Sequence, residues 1–278
     1  MAVTVANKAG GKPSWLLTGT DTKKAVEQWE AKIKENQEAA GRPRRFFLTE
    51  DLRPETTITF LDGDLNPDGL FEPQVWEHGG IFYNGDYNEY LCTARVDKSC
   101  PCPICAAGDQ PYLGAFFTII DHGAYVLGKK SKNAGASLYN RKLIFVAKPK
   151  TAQLLMKHAA KKGGLAGCSF EVTRSSKQDP RVGSIFDFVT KHEDVDAVVE
   201  FAKKHGPIPP EAQEDLDAWI EPFSYGDLLD YKSPDELIEM GLGQVQATIG
   251  QTYAAKNAGG GGFGTKKTFS KAALENEL

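Results

Sequence analysis

The chain has 278 residues, of which 25% are charged and 41% are hydrophobic, and it carries a formal net charge of −4, values typical of a globular protein with one large or two small domains. No apolar run approaches the length of a membrane span, and residues 1–15 lack the long apolar core of a signal peptide. We therefore expect an intracellular protein in a reducing compartment, with no membrane partner.

The first segment, residues 1–42, is predicted to be an N-terminal arm and a helix. Residues 1–20 are mostly small or polar and are predicted to form a flexible arm. A helix is predicted for Asp21–Ala40, because Ala25, Val26, Trp29 and Ile33 recur at helical spacing. We expect this helix to pack its Trp29 face on the domain.

Residues 43–192 are predicted to form a core made mainly of β-strands. Runs rich in aromatic and β-branched residues alternate with turn residues along this segment. The predicted strands are Arg44–Leu48, Thr56–Leu61, Tyr112–Ile120, Ala124–Leu127, Arg141–Ala147, Cys168–Arg174 and Ser184–Thr190. We expect the third and fourth strands to form a hairpin. A helix that carries Leu154, Leu155 and Ala159 is expected to be capped by Thr151 and to stop at Gly163-Gly164. The pattern predicts an α+β fold, mainly β, with a small closed or Greek-key barrel and peripheral helices.

A possible metal site lies within residues 78–105. Cys102-Pro103-Ile104-Cys105 is a C-P-x-C turn, in which two thiolates can face one metal ion. Cys92 and His78 precede it at spacings that allow four ligands to converge. Thiolates with one imidazole suit a closed tetrahedral zinc site, so we predict structural Zn²⁺ bound by His78, Cys92, Cys102 and Cys105.

Two alternative interpretations of these cysteines are a disulfide cluster and buried thiols without a metal ion. A reducing compartment argues against disulfides, and four cysteines within residues 92–105 are an unusual density for uncoordinated thiols. In an extended chain Cys100 points away from Cys102, so we interpret Cys100 as a thiol that does not bind the metal.

The C-terminal third of the sequence differs in character from the core. Residues 193–243 are predicted to be an acidic helical segment, with helices at Glu193–His205, Glu211–Trp219 and Pro234–Met240. Residues 244–278 are predicted to form a flexible Gly-rich tail, which contains Gly259–Gly264.

The modest net charge conceals a strong asymmetry along the chain. Residues 121–182 contain 13 Lys and Arg against 3 Asp and Glu, whereas residues 183–241 contain 4 against 15. A basic half followed by an acidic segment indicates a polyanion-binding surface with a competitor in the same chain. The alternative is that both are ordinary solvated faces.

The basic stretch also contains aromatic residues. Single-stranded nucleic acid is bound by this combination, because cations follow the phosphates while rings stack on bases. We expect Phe116, Phe117, Phe145 and Phe170 to belong to the core, since strands bury alternate residues. The candidate nucleic-acid contacts are Tyr83, Tyr87, Tyr90, Tyr125, Lys129, Lys130, Lys132, Tyr139, Arg141, Lys142, Lys148, Lys150, Arg174, Lys177 and Arg181.

Several of these pieces resemble the single-stranded DNA-binding proteins of tailed bacteriophages, a group that includes the helix-destabilising protein of T-even phages. The resemblance covers about residues 14–240 by pattern, and to the T-even protein it extends only to the metal-ligand spacing and general layout. The pieces that carry it are Ser14-Trp15-Leu16, Thr57–Gly63, the spacing of His78, Cys92, Cys102 and Cys105, Cys102–Cys105 with Gly108, Phe117–Asp121, Arg141-Lys142-Leu143 and Gly163–Gly167.

The resemblance implies an OB-fold with a zinc-ribbon insertion at 78–105 that coats and protects single-stranded DNA in phage replication and recombination. It also implies cooperative self-association on DNA and residence in the host cell cytoplasm. Members of the group often contact replication or recombination proteins through the C-terminus. The tail here departs from an acidic pattern, because it contains Lys266, Lys267 and Lys271, although Phe269, Leu274 and Leu278 could form a docking peptide.

An enzymatic function is not expected. The Gly-rich run at 259–264 lacks the Gly-Lys-Ser/Thr order of a phosphate-binding loop, and no nucleophile is placed beside His122. The alternative functions are a zinc-ribbon interaction or transcription-accessory protein that binds another protein or duplex DNA, and, third, a metal-dependent nucleic-acid enzyme.

Overall fold

The structure is a computed structural model that describes residues 23–24, 43–49, 51, 53–83, 86–128, 133–229 and 231–242. The predicted arm, nearly all of the predicted helix Asp21–Ala40 and the predicted tail lie outside these residues. The described strands are β1 (Glu55–Phe60), β2 (Gln74–Tyr83), β3 (Asp86–Leu91), β4 (Tyr112–Asp121), β5 (Tyr125–Val126), β6 (Ser137–Leu138), β7 (Arg141–Ala147), β8 (Cys168–Thr173) and β9 (Ile185–Lys191).

The described helices are mostly short. They are α1 (Thr93–Val96), α2 (Pro103–Ala106), α3 (Pro149–Lys162), α4 (Val195–His205), α5 (Pro210–Glu214), α6 (Leu216–Ile220), α7 (Tyr225–Leu228) and α8 (Pro234–Glu239). In the part of the chain that is described, none of them has the length and apolar character needed to cross a lipid bilayer.

Seven strands form a mainly antiparallel sheet in the order β3-β2-β4-β1-β8-β9, with β7 also paired to β4, and β5 and β6 form a separate two-stranded sheet. Ile58 on β1 lies opposite Asp121 on β4 and opposite Phe170 on β8. The α+β class with a mainly β core is therefore confirmed. The seven-stranded sheet is not closed among the described residues, in contrast to the closed form of barrel that the sequence suggested.

The chain divides into two compact units. Unit 1 consists of the described residues of Met1–Leu70, Phe117–Val146 and Leu154–Leu228, and unit 2 of those of Phe71–Phe116, Ala147–Gln153 and Leu229–Leu278. These boundaries differ from the predicted segments 1–42, 43–192, 193–243 and 244–278.

Unit 1 has an aromatic core centred on Phe60. The Phe60 ring meets those of Phe117, Phe145 and Phe170 edge to face, with centroids 5.4 to 5.8 Å apart, the arrangement that aromatic quadrupoles favour. All four rings are fully buried. The expected core positions of Phe116, Phe117, Phe145 and Phe170 are confirmed.

An extended segment, residues 44–48, lies between β7 and the loop before β9 in unit 1. The backbone N–H of Phe46 donates to the carbonyl of Ile144, and that of Leu48 donates to the carbonyl of Arg181. Arg45 and Ile144 form an isolated parallel bridge, so the predicted strand Arg44–Leu48 is reduced to a bridge. Among the described residues, β7 pairs with β4 and β9 pairs with β8, and this segment lies beside β7.

The helices α4 to α6 cover one side of β4 in unit 1. Ile120 of β4 packs with Val198 and Ala202 of α4 and with Trp219 of α6. Strand β4 is consequently buried on both faces along its second half, since Phe117 and Ile119 also lie in the core. Asp194 begins α4 as its N-cap and accepts a hydrogen bond from the N–H of Ala197, as the acidic first turn predicted.

Unit 2 is built on the β2–β3 hairpin and the first half of β4. Gln74 and Glu77 of β2 lie opposite Ala115 and Tyr112 of β4. The helices α1 and α2 follow β3, and α8 packs Leu237 into a buried cluster with Tyr90 and Ile104.

Two local predictions are wrong. The predicted hairpin of Tyr112–Ile120 with Ala124–Leu127 does not form, because β5 pairs with β6 instead. The predicted helix Glu211–Trp219 is two helices, because Asp215 interrupts it and caps α6 by accepting from the N–H of Ala218 at 3.0 Å.

Candidate metal centre and basic cleft

The structure brings the four predicted ligands together in unit 2. One ligand atom from each of His78, Cys92, Cys102 and Cys105 lies within 4.8 Å of every other. His78 and two of the cysteines are buried, and Cys105 is half-buried. The cluster is therefore able to hold a metal ion.

The separations of the ligand atoms fit a tetrahedral ion. His78 Nε2 lies 3.4 Å from Cys102 Sγ and 3.5 Å from Cys105 Sγ, and the sulfurs of Cys92 and Cys105 are 3.6 Å apart. Metal–ligand bonds of about 2.0 to 2.3 Å at tetrahedral angles place ligand atoms about 3.5 to 3.8 Å apart. The sulfur–sulfur distance is too long for a disulfide, and all the cysteines are free.

A carboxylate lies behind the imidazole of the cluster. Asp109 Oδ2 is 2.6 Å from His78 Nδ1. With the Nδ1 proton donated to this carboxylate, Nε2 keeps its lone pair for a metal ion, the usual arrangement behind a histidine ligand.

Burial raises the pKa of all three ligand thiols, and their neighbours decide which one ionises first. At Cys102 this effect is outweighed by the backbone N–H of Cys105 and by the His78 imidazole, and the pKa is lowered to about 6. At Cys105 burial and the neighbouring thiols raise the pKa to about 12. A divalent cation would remove the repulsion among the thiolates and deprotonate all three.

Local backbone structure positions each ligand. β2 bulges between His78 and Ile81, where Gly80 has a φ of +73°, and bulges commonly re-aim side chains beside sites. Cys92 and Cys102 are the N-caps of α1 and α2. Pro103 begins α2 at a position that suits proline.

Two further contacts tie the metal cluster to its surroundings. The Thr93 hydroxyl donates to the carbonyl of Pro101 at 2.8 Å, which joins the two ligand-bearing turns. Leu237 and Leu242 pack against Cys92 and Cys102 in the same buried cluster.

Cys100 is not part of this group. Its Sγ lies 3.5 Å from Asp97 Oδ2, and that carboxylate raises the pKa of the thiol. Cys100 therefore lies outside the group of candidate ligands, as its position in the sequence predicts.

A second candidate site is a basic cleft in unit 1, lined by Arg44, Arg45, Phe47, Tyr125 and Arg141, with a volume of about 180 Å³. The Arg141 guanidinium lies 3.9 Å above the Tyr125 ring. Phe47 is 47% exposed. Three cations and two aromatic rings therefore line the same cleft.

A buried carboxylate holds Arg141 in place. Asp121 is fully buried and binds the guanidinium groups of Arg53 and Arg141, the latter at 2.7 Å. The Thr56 hydroxyl donates to the same carboxylate at 2.9 Å. Asp121 therefore fixes the Arg141 guanidinium, which stacks on the Tyr125 ring, through an ion pair that is buried in unit 1.

The predicted tyrosine contacts occupy different environments. Tyr87 is 69% exposed and lies 5.2 Å from the Phe82 ring. Tyr90 is only 8% exposed and belongs to the unit 2 core, because it points inward on β3, which leaves its ring little surface for a base. Tyr83 packs partly against the same core, and Tyr139 packs its ring on Gly206.

The predicted cations divide into two groups. Arg174 donates to the carbonyls of Leu48 and Lys177, and Lys142 donates to the carbonyl of Ala218, so both are engaged within the protein, as Arg141 is. The predicted cations with exposed side chains are Lys150, Lys177 and Arg181, together with Lys148, whose ammonium group also lies 3.8 Å from the centre of the Tyr112 ring. Lys129, Lys130 and Lys132 lie outside the described residues.

Sequence reasoning missed Arg44, Arg45 and Phe47 of the cleft and Asp109 behind the metal cluster. A signal was available for the first three, since two arginines precede a Phe-Phe pair in Arg44–Phe47. Asp109 offered no comparable signal, because its role depends on a residue on another strand.

No protein-family model matches the chain, and no curated protein is significantly similar to it.

Proposed function

We propose that the protein binds single-stranded DNA through the basic cleft of unit 1 and carries one structural Zn²⁺ in unit 2. The observation that carries this function is that Arg44, Arg45 and Arg141 line one cleft together with the rings of Phe47 and Tyr125. Guanidinium groups follow phosphates, and aromatic faces stack on bases of any sequence. Affinity for DNA then falls as salt rises, because binding releases counterions.

Zinc is favoured by the chemistry of the ligands. Three thiolates and one imidazole at tetrahedral spacing form a closed set, with no open position for a reacting water. Here the ion would supply folding free energy and hold the turns of unit 2 together.

An OB-fold-like core is the arrangement that we propose for unit 1. Its support is the pairing of β1 with β4 and β8, of β4 with β7, and of β8 with β9, with α3 between β7 and β8. OB-folds are five-stranded and only partly closed. On this assignment, the part of unit 2 that contains the proposed zinc ligands, Phe71–Phe116, is inserted after the first strand.

The cleft is a better candidate for the DNA path than the outer face of β4 and β7. OB-folds commonly bind oligonucleotides on their second and third strands. Here the acidic segment covers that face, with Lys142 under Phe223 and Thr118 hydrogen-bonded to Tyr225. We propose that this acidic covering keeps DNA off the face and directs it to the cleft.

We extend the proposal to the role that the resemblance implies. The protein would coat and protect single-stranded DNA in phage replication or recombination, inside the host cell and without catalysing a reaction. Docking of replication proteins on the tail, and cooperative self-association on DNA, remain proposals that rest on residues outside those described.

The test is a fluorescence-anisotropy titration of a labelled single-stranded oligonucleotide at several salt concentrations, with a duplex as control. We expect tight single-strand binding that weakens with salt, and weak duplex binding. Arg44→Gln should reduce the slope of log K against log salt by about 0.7, the loss of one phosphate contact. Phe47→Leu should weaken binding and leave the slope unchanged.

The matched control is Lys157→Gln, which removes an exposed cation on α3 away from the cleft. It should bind as the wild type does. Equal binding of duplex and single strands would instead favour an interaction module, and equal losses from Lys157→Gln and Arg44→Gln would contradict a localised cleft.

A further inference from the structure

Unit 2 carries an exposed aromatic side chain stacked with a cation. Trp76 on β2 is 36% exposed, and the Arg95 guanidinium lies 4.8 Å from the centre of its ring. We refer to these two side chains as the Trp76–Arg95 platform. Tryptophan is usually largely buried, and its exposure beside a stacked arginine is typical of binding surfaces.

Both residues of the platform are hydrogen-bonded to a metal ligand. The backbone N–H of Cys92 donates to the carbonyl of Trp76 at 2.9 Å. The carbonyl of Cys92 accepts from the N–H of Arg95 at 2.9 Å. An ion that fixes the Cys92 sulfur therefore also fixes the strand that carries the indole and the turn that carries the guanidinium.

The guanidinium is available for an external anion. Stacking on a ring uses the face of the guanidinium and leaves the N–H groups at its edge free to donate. Among the described residues, no carboxylate forms an ion pair with Arg95. An anionic ligand with a planar group suits this platform, with the planar group on the exposed indole surface and the anion on the guanidinium.

We propose that the Trp76–Arg95 platform is a second base-stacking contact for single-stranded nucleic acid, and that the metal ion at Cys92 holds it in place. This inference rests on the proposed function. It adds a contact in the metal-binding unit that the basic cleft does not supply. It also gives the metal ion a direct structural link to nucleic-acid affinity.

The test compares the full-length, metal-loaded protein with Trp76→Leu, Arg95→Gln and the double variant in the same anisotropy titration. We expect each single variant to lose about 5-fold or more in affinity, the usual range for removing one stacked base contact. The double variant should lose little more affinity than the more impaired of the two single variants, because ring and cation act as one unit. Ile238→Ala is the matched control, since it removes another exposed apolar side chain of unit 2.

Metal removal supplies a second readout. A chelator should weaken DNA binding of the wild type more than that of Trp76→Leu, in which the platform is already lost. Metal content and circular dichroism verify that each loaded variant is folded, and Arg95→Gln carries the test if Trp76→Leu does not fold.

The possible failures are distinguishable. Wild-type affinity in Trp76→Leu and Arg95→Gln, with impaired Phe47→Leu, would overturn the platform and leave the proposed function intact. An equal loss in Ile238→Ala would also overturn it. Absence of single-strand binding by the wild type would overturn both proposals.

Discussion

Asp109 orients His78 for metal binding. Its Oδ2 atom lies 2.6 Å from His78 Nδ1, while Nε2 of the same ring faces the sulfurs of Cys102 and Cys105. The carboxylate is partly exposed, whereas the imidazole is fully buried. A residue outside the ligand set thus determines which imidazole nitrogen is available to the ion.

Replacing this carboxylate should weaken metal binding without abolishing it. Asp109→Ala removes the hydrogen bond that fixes the His78 ring and leaves all four ligands in place. We expect about a 10- to 100-fold loss of metal affinity, measured by competition with a chelating dye. Asp97→Ala, which removes a carboxylate beside Cys100, is the control and should keep wild-type affinity; an equal effect of both would contradict the assigned role.

The ligand set itself predicts opposite results for two neighbouring cysteines. Cys102→Ser should lose the bound metal and lower the melting temperature, because a buried ligand position is then unfilled. Cys100→Ser should keep one metal ion per chain and wild-type stability, since its thiol lies outside the cluster. Metal analysis and thermal unfolding measure both, and the reverse pattern would mean that the ligands are wrongly assigned.

The bridge at Asp121 should be a major determinant of stability in unit 1. Asp121→Asn removes the charge that compensates Arg53 and Arg141, both of which are largely buried. Loss of one partner of a buried ionic group costs about 3 to 5 kcal/mol in the free energy of unfolding. Urea denaturation measures this loss; Glu200→Gln, which breaks the surface pair with Lys203, should change the midpoint little.

His122 should make the protein less stable in acid. Its Nδ1 lies 2.8 Å from Asn140 Oδ1 and its Nε2 lies 2.7 Å from the Thr59 hydroxyl. The two N–H groups of Asn140 Nδ2 are shared among three backbone carbonyls, which identifies this atom as the nitrogen. Asn140 Oδ1 therefore accepts from His122 Nδ1–H, and Nε2 is left to accept from Thr59. The neutral ring is therefore the form that fits.

Burial lowers the pKa of His122 to about 4 from an ordinary value of 6.5. As pH falls, the unfolded chain therefore binds this proton before the folded protein does. The contribution of neutral His122 to the free energy of unfolding is complete above pH 6.5 and is lost as pH falls to about 4. This loss amounts to about 3 kcal/mol. Unfolding free energies of the wild type and His122→Gln across this range should converge in acid, and a constant difference would contradict the assignment.

Asp62 should make the protein less stable as pH rises, in contrast to His122. Burial raises its pKa to about 6 despite hydrogen bonds from Tyr225 and Thr118. The folded state binds this proton first, so the contribution of Asp62 is complete below its ordinary pKa of 3.8 and is lost as pH rises through about 6. Asp62→Asn should therefore gain stability relative to the wild type as pH rises from 4 to 7, measured by urea denaturation at each pH.

Local signals predicted much of the secondary structure and the metal cluster. Strand β7 matches its predicted range, Arg141–Ala147, and helix α4 follows the predicted range with Asp194 as its cap. Thiols in a C-P-x-C turn converge through local geometry, so Cys102 and Cys105 could be paired from the sequence. In each case the deciding interactions lie within a few residues of one another.

Contacts distant in sequence escaped the same reasoning. The sequence predicts that residues 234–242 belong to the acidic helical segment. In the structure, Leu237 and Leu242 pack beside the metal cluster of unit 2. Periodicity identified the helix but not the surface that buries it, because an apolar stripe specifies burial without specifying its partner.

The sequence by itself determined the α+β class, most strand and helix positions and the four residues of the metal cluster, because these follow from alternation, capping and ligand chemistry along short stretches. Only the tertiary structure decided that residues 44–48 lie beside β7, which sets Arg44, Arg45 and Phe47 against Tyr125 and Arg141. The reason is physical: the cleft depends on backbone pairing between segments about 100 residues apart, and such pairing is selected by the packing of the whole core rather than by either segment.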